Sequence, residues 1–192
     1  MSCRNTMPRG LLKITMPTTF GRLHIAPHLG KFLASYPDIE LDTHLTDRFI
    51  DIIREGFDLA IRIGELEDSS LVGEEQVRTN GSLRSNSGEF IREVMLAGLG
   101  LGLRSTWDIG AELESGKLMV VLPHYCGSSN MAIYAVYPCR EFMPAKANVV
   151  IEFLADLYGS EPYWDKGLDL AKPAPKRAAA RGGEGKRVAA AR

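Results

Sequence analysis

The strongest constraint on this 192-residue chain is a series of short elements between residues 11 and 63, joined by very little connecting chain. Leu11 to Thr15 is a β-leaning run ended by Pro17. Leu29, Phe32, Leu33 and Tyr36 then recur at helical spacing, and the stripe stops before Pro37, which disfavours helix in the residue preceding it. Ile39, Leu41, Thr43 and Leu45 alternate with Glu40, Asp42 and His44, the period of a half-exposed strand. Phe49, Ile52 and Ile53 mark a short helix, with Gly56 where a left-handed C-cap is wanted. Phe57 to Ile63 supplies a third strand. Strands that alternate with helices over such short connections pack side by side in parallel, so this region is expected to form a parallel α/β sheet.

Beyond Gly64 the pattern loosens into an acidic, serine-bearing loop, Glu65 to Gln76, which marks a candidate lobe boundary. A second α/β unit follows. Asn86, with Glu89 three residues later, gives a capping-box-like helix start whose buried face is Phe90, Ile91, Val94 and Met95. Thr106 is placed to cap another short helix through Ile109 and Leu113, closed by Gly116. Lys117 to Leu122 and Ala132 to Tyr137 read as strands. Pro144 opens a helix with Val149, Val150, Phe153, Leu154 and Leu157 on one face. The expected layout is therefore an extension over 1–10, a first lobe from 11–75 with 131–162, a partial second lobe over 76–130, and an extension over 163–192.

Charge divides the chain unevenly. From Ala171 to Arg192 seven basic residues stand against one acid, giving this tail +6 within an overall balance of −1. Its Ala, Gly, Pro, Lys and Arg cannot bury enough apolar surface to order themselves, so a disordered basic tail is expected, solvated or in weak salt-sensitive contact with nucleic acid. The rest of the chain has no basic footprint of a nucleic-acid binder. The three cysteines, Cys3, Cys126 and Cys139, are odd in number and widely spaced, which fits a reducing compartment. No apolar run approaches the ~20 residues of a membrane span, and no apolar segment follows the N-terminus as a secretory signal requires. A cytoplasmic location is expected.

Few residues suggest chemistry. His24 and His28 are four apart, but Pro27 disturbs the turn between them and no glutamate follows His24, so a metal site is not expected. There is no nucleophile elbow, zinc-protease motif or P-loop. Gly98 to Leu103 superficially resembles a phosphate loop, yet it follows a helix and reads as a tight turn. Pro17-Thr18-Thr19-Phe20-Gly21 is more informative. It lies at the carboxyl end of the first strand, where α/β folds bind ligands, with a helix N-terminus behind it. Thr18 and Thr19 either complement an anion there or simply cap the helix, and spacing does not choose.

Five segments taken in order carry a family resemblance: GLLKITMPTTFGRLHIAPHLGKFLASYPDIELD, LTDRFIDIIREGFDLAIRIGELEDSSLVG, GSLRSNSGEFIREVMLAGLGLGL, LESGKLMVVLPHY and IYAVYP. They resemble the effector-binding domain of LysR-type transcriptional regulators over residues 11 to about 160, and EGFDLAIRIGELEDSSL is the most specific of them. The resemblance implies a periplasmic-binding-protein-like (type II) fold of two α/β lobes with a small effector between them. It implies no catalytic step, no cofactor and no metal. By position, Thr18, Thr19 and Phe20 would line the cleft from the first lobe with Arg62, Ile63 and Gly64. Asn86, Ser87, Gly100 and Leu101 would face it from the second. Arg62 would either pair with a carboxylate effector or bridge to a surface acid.

Two departures from the family pattern bear on function. Only ten residues precede the Leu11 strand, so the helix-turn-helix through which such regulators reach promoter DNA is expected to be absent from this chain. After LVGEE the chain runs almost at once into VRTNGSLRSN, where the family continues through further elements of the second lobe; several tens of residues are missing, which truncates that lobe. The leading expectation is a small-molecule-sensing regulatory domain that forms a homodimer or higher oligomer. The alternative is an interaction module, or truncated remnant, that dimerises with intact regulators. A solute-binding protein is the third reading.

Overall fold

A computed structural model of the protein describes residues 7–64, 80–125, 131–138, 143–170 and 190–191. Two compact units divide the chain, residues 1–64 with 131–162 and residues 65–130 with 163–192. The Glu65 to Gln76 loop, the three cysteines and nearly all of the basic tail lie outside the described residues.

In the first unit β1 (Gly10–Met16) is followed by a continuous helical stretch: α1 (Thr18–Phe20), a widened turn (Gly21–Ile25) and α2 (Ala26–Ser35). β2 (Ile39–Leu45), β3 (Leu59–Gly64), β5 (Ala132–Val136) and α5 (Ala145–Tyr158) complete it. The sheet order is β2-β1-β3-β5. β1 pairs in parallel with β2 from Gly10↔Ile39 to Met16↔Leu45, and with β3 at Ile14↔Leu59 and Thr15↔Ala60. The expected parallel arrangement holds for these three strands. β5, however, runs antiparallel to β3, from Ala60↔Val136 to Gly64↔Ala132, so the sheet is mixed.

The helical stripes dock where their periodicity requires. Ile14, Met16 and Leu41 from the sheet share one small apolar gap with Ile25, Leu29, Phe32, Val150, Phe153 and Leu154 from the helices. Phe32 and Phe153 meet at 5.3 Å between ring centroids. Leu12, Phe20, Phe32 and Leu59 are fully buried or nearly so, and each such side chain contributes about 1.5–3 kcal/mol by leaving water. The first helix begins earlier than the sequence suggests, at Thr18. It widens at the Gly21 carbonyl, which accepts the Ala26 N–H five residues on, directly before Pro27. Proline has no N–H to continue an α-helical ladder, and a wider turn relieves its clash with the preceding carbonyls.

The helix expected around Phe49, Ile52 and Ile53 is reduced to one turn. Asp51 Oδ1 accepts the N–H groups of Ile53 and Arg54, capping the start. Gly56, at φ +72°, ends the turn by donating to the Ile53 carbonyl while Phe57 donates to that of Ile52, so the predicted left-handed cap is present. Phe49 and Ile53 are strongly exposed and give a longer helix nothing to pack on.

The second unit holds α3 (Gly88–Leu96), β4 (Leu103–Arg104) and α4 (Thr106–Glu114), with Ala190–Ala191 (β6) paired in parallel to β4. Its core is Met95, Ile109 and Leu118, flanked by Ile91, Leu96 and Leu113. Both expected caps move by one residue. Ser87 precedes α3 and its Oγ accepts the Phe90 N–H at 3.3 Å, displacing Asn86 from that role, while Ser105 precedes α4 in place of Thr106. Phe90 is 51% exposed and leaves the buried face to Ile91, Val94 and Met95. Lys117 to Leu122 does not form a strand. Leu118 and Val120 are buried, but Val120 alone makes a lone bridge.

Candidate functional site

The carboxyl ends of β1, β2 and β3 lie side by side, and the residues there make one polar cluster. Thr15, on the central strand, is fully buried, and its Oγ1 accepts from Arg62 Nη2 at 3.3 Å. Arg62 Nη1 donates to the Ile61 carbonyl at 3.0 Å. These two bonds turn the guanidinium back along the end of the sheet, where it is half-buried. Burial holds its pKa below the ordinary arginine range, and the nearby Asp47 carboxylate acts in the opposite sense. The side chain nevertheless remains a cation at any physiological pH.

The N-terminus of α1 completes the cluster. Pro17 occupies the cap position and has no side-chain group to offer, so the capping role considered for the threonines is filled from elsewhere: Asp47 Oδ1 accepts the Thr18 N–H at 3.0 Å. Thr18 is exposed beside it, while Thr19 is buried at 8%. Phe20 is fully buried, stacked 5.1 Å from His24 and edge-on to Tyr158 at 5.9 Å, so its ring belongs to the core and does not line an open surface. Tyr158 Oη also donates to the His24 carbonyl at 3.1 Å, anchoring the widened turn. Ile63 and Gly64 follow Arg62 at the end of β3, both half-buried.

The residues expected from the second lobe are all exposed within their own unit. Asn86 carries no described cap. Ser87 spends its hydroxyl as an acceptor for its own helix. Gly100 adopts φ +137° in the glycine turn after α3, and Leu101 is 65% exposed. Behind this helix start stands Arg104, whose guanidinium lies 2.6 Å from where a Gly88 Cβ would be and is paired with the buried carboxylate of Asp108. Sequence reading assigned neither Asp47, Thr15 nor Arg104. Asp47 had the clearest signal, as the first acid after β2 on the binding edge of a parallel sheet.

Among the described residues no group of three or more His, Cys, Asp or Glu is placed to hold a metal ion, and His24 is packed into the aromatic stack. No described helix is long and apolar enough to cross a membrane.

Comparison with known proteins identifies the family. The LysR substrate binding domain matches in two stretches, residues 5–76 and 71–159. The HTH-type transcriptional activator TtdR of Escherichia coli K12 is 32% identical over 204 residues, which cover 78% of this chain and 65% of TtdR. DmlR of the same organism, an HTH-type transcriptional regulator, is 30% identical over 219 residues, covering 86% and 70%. In each alignment the matched share of this chain is about fifty residues shorter than the alignment itself, and the two family stretches meet at 71–76. The chain thus lacks an internal segment that its relatives possess. The CrgA regulatory domain of Neisseria meningitidis superposes with a TM-score of 0.64 at 21% identity, covering 79% of this chain and all of that one. Full-length AphB of Vibrio cholerae gives 0.62 at 19%, covering 79% and 69%. These folds are type II periplasmic-binding-like regulatory domains, and the family regulates transcription rather than catalysing reactions. The chain belongs to the LysR substrate-binding domain family, the regulatory part of LysR-type transcriptional regulators, and spans just under two thirds of TtdR.

Proposed function

We propose that this domain senses a small organic effector, a carboxylate among the candidates, and passes its occupancy to promoter DNA through a helix-turn-helix carried by the wider regulator. The observation that carries the reading is the placement of Arg62: a half-buried guanidinium held by Thr15 at the carboxyl edge of the parallel strands, with exposed Thr18 at the neighbouring helix start. Ile63 and Gly64 extend the same edge. Asn86, Ser87, Gly100 and Leu101 are the contribution proposed for the second unit. The effector acts by population shift, stabilising one of two arrangements already present in the free protein. The mechanism has no catalytic step and requires no cofactor or metal. The regulator works as a homodimer or higher oligomer in the cytoplasm.

A thermal melt of the full chain, alone and with a panel of small aromatic and aliphatic acids, tests this. A ligand that binds only the native state adds about 2.7 kcal/mol at a hundredfold excess over its dissociation constant. One acid is expected to raise the midpoint. A cooperative melt blind to the whole panel would refute the effector reading.

A second reading has its own support. Leu99, Leu101 and Leu103 are 74%, 65% and 66% exposed, alternating with glycines in a unit whose relatives carry an extra segment. Exposed apolar rows favour association. In this reading the chain pairs with an intact regulator and inhibits it, and co-purification with full-length DmlR irrespective of ligand is the expected result.

A further inference from the structure

The carboxylate most intimately placed at the Arg62 edge is the protein's own. The Thr46 N–H donates to the Met16 carbonyl at 2.9 Å, tying the end of β2 to the end of β1. Thr46 Oγ1 accepts the Arg48 N–H at 3.2 Å, closing the chain on the other side of residue 47. Asp47 is therefore fixed from both flanks, and from that position its Oδ1 takes the Thr18 N–H. The rest of its side chain is exposed, so a negative charge faces the solvent where a ligand would approach.

We propose that Asp47 is a specificity-determining residue of this edge: an internal carboxylate that a carboxylate effector must displace to reach the Thr18 N–H and Arg62. The proposal rests on the effector reading and deepens it. One amide hydrogen serves one carboxylate well, and two carboxylates brought to the same point repel. Arg62 already lies in the field of Asp47, so the cation of the edge is partly compensated before any ligand arrives. A ligand presenting a neutral hydroxyl or amide oxygen here competes for the same hydrogen but meets no charge repulsion. Among anionic ligands, only an acid with enough further contacts to displace Asp47 is thereby retained.

Replacing Asp47 by asparagine separates this role from simple helix capping, because the amide oxygen can still accept the Thr18 N–H while the charge is gone. The probes are succinate and its neutral isostere succinamide, titrated into the full wild-type and Asp47→Asn chains and followed through the Thr18 amide resonance. Succinate is expected to bind Asp47→Asn about tenfold more tightly than wild type, with the difference shrinking as salt rises. Succinamide is expected to treat the two proteins alike. Equal or weaker succinate binding by the variant overturns the role of Asp47, and so does a parallel gain for succinamide. A matching response in both proteins leaves the effector reading standing without this refinement, whereas silence of both proteins toward both probes, together with a melt blind to the acid panel, overturns the two together.

Discussion

Asp58 ties together the strand that carries Arg62, and removing it is expected to have a cost that follows from its contacts. Its Oδ2 accepts the Lys13 N–H at 2.9 Å and the Lys146 ammonium at 2.8 Å, while its own N–H donates to the Lys13 carbonyl. Lys146 in turn reaches the Leu11 carbonyl, so one carboxylate joins β1, β3 and the first turn of α5. The bond matters because β1 and β3 share a register of only two residue pairs, Ile14↔Leu59 and Thr15↔Ala60. In Asp58→Ala the half-buried Lys13 N–H loses its acceptor, at about 1–3 kcal/mol. The ion pair, whose side chains are 22% and 25% exposed, adds at most about 1 kcal/mol. A total of about 1–4 kcal/mol corresponds to a drop in melting midpoint of roughly 2–16 °C for a chain of this size. Asp58→Asn keeps an acceptor for Lys13 and is expected to lose only the ion-pair share. Urea unfolding of both variants checks this. Wild-type stability in Asp58→Ala, or equal losses in the two variants, would refute the reasoning.

Other substitutions probe each unit. Ser87→Ala removes the α3 cap and is expected to cost about 1 kcal/mol by denaturant titration, whereas Asn86→Ala is expected to be near neutral. Gly110→Ala is expected to destabilise the second unit by about 1–3 kcal/mol, because a Cβ there would stand 3.0 Å from the Trp164 carbonyl oxygen, and backbone cannot swing aside. Burial raises the pKa of the Tyr163 phenol, so its folded form holds the proton above the unfolded value; its stabilising contribution is complete below about pH 10 and is lost as pH rises through the folded pKa. Tyr163→Phe is expected to flatten the fall in chemical-denaturation stability over that alkaline range.

Much of the first unit was legible because its periodicities are clean. The stripe Leu29, Phe32, Leu33 and the alternation from Ile39 to Leu45 became α2 and β2 as read, and the Val150 and Leu154 face of α5 packs on the sheet. The misses have local physical causes. Phe49, Ile52 and Ile53 carry helical spacing, but with Asp51 capping one end and Gly56 the other there is room for a single turn. Asn86 and Ser87 are both good caps, and only the geometry of the first turn shows that Ser87 reaches the Phe90 amide. Lys117 to Leu122 is a continuous apolar run after its lysine, and such a run makes a strand only where a neighbour supplies a ladder. At the site, Thr18 and Arg62 could be placed from the strand ends. Asp47 could be placed at the same edge as the first acid after β2, but its bond to Thr18 could not be read, because it crosses from the end of one strand to the start of another strand's helix, twenty-nine residues away in sequence. Phe20 looked like a cleft residue by position, and its burial against His24 and Tyr158 depends on a helix that arrives more than a hundred residues later.

The central claim is that ligand recognition runs through the Arg62 edge of the first unit. Titration calorimetry of wild type and Arg62→Met, using the acid that most raises the melting midpoint, tests it most directly. Methionine keeps the aliphatic packing of the arginine stem but removes the guanidinium that Thr15 holds. The account predicts a loss of binding of tenfold or more, about 1.4 kcal/mol, beyond the modest fall in unliganded midpoint that losing the Thr15 bond brings. Undiminished affinity in Arg62→Met would contradict it.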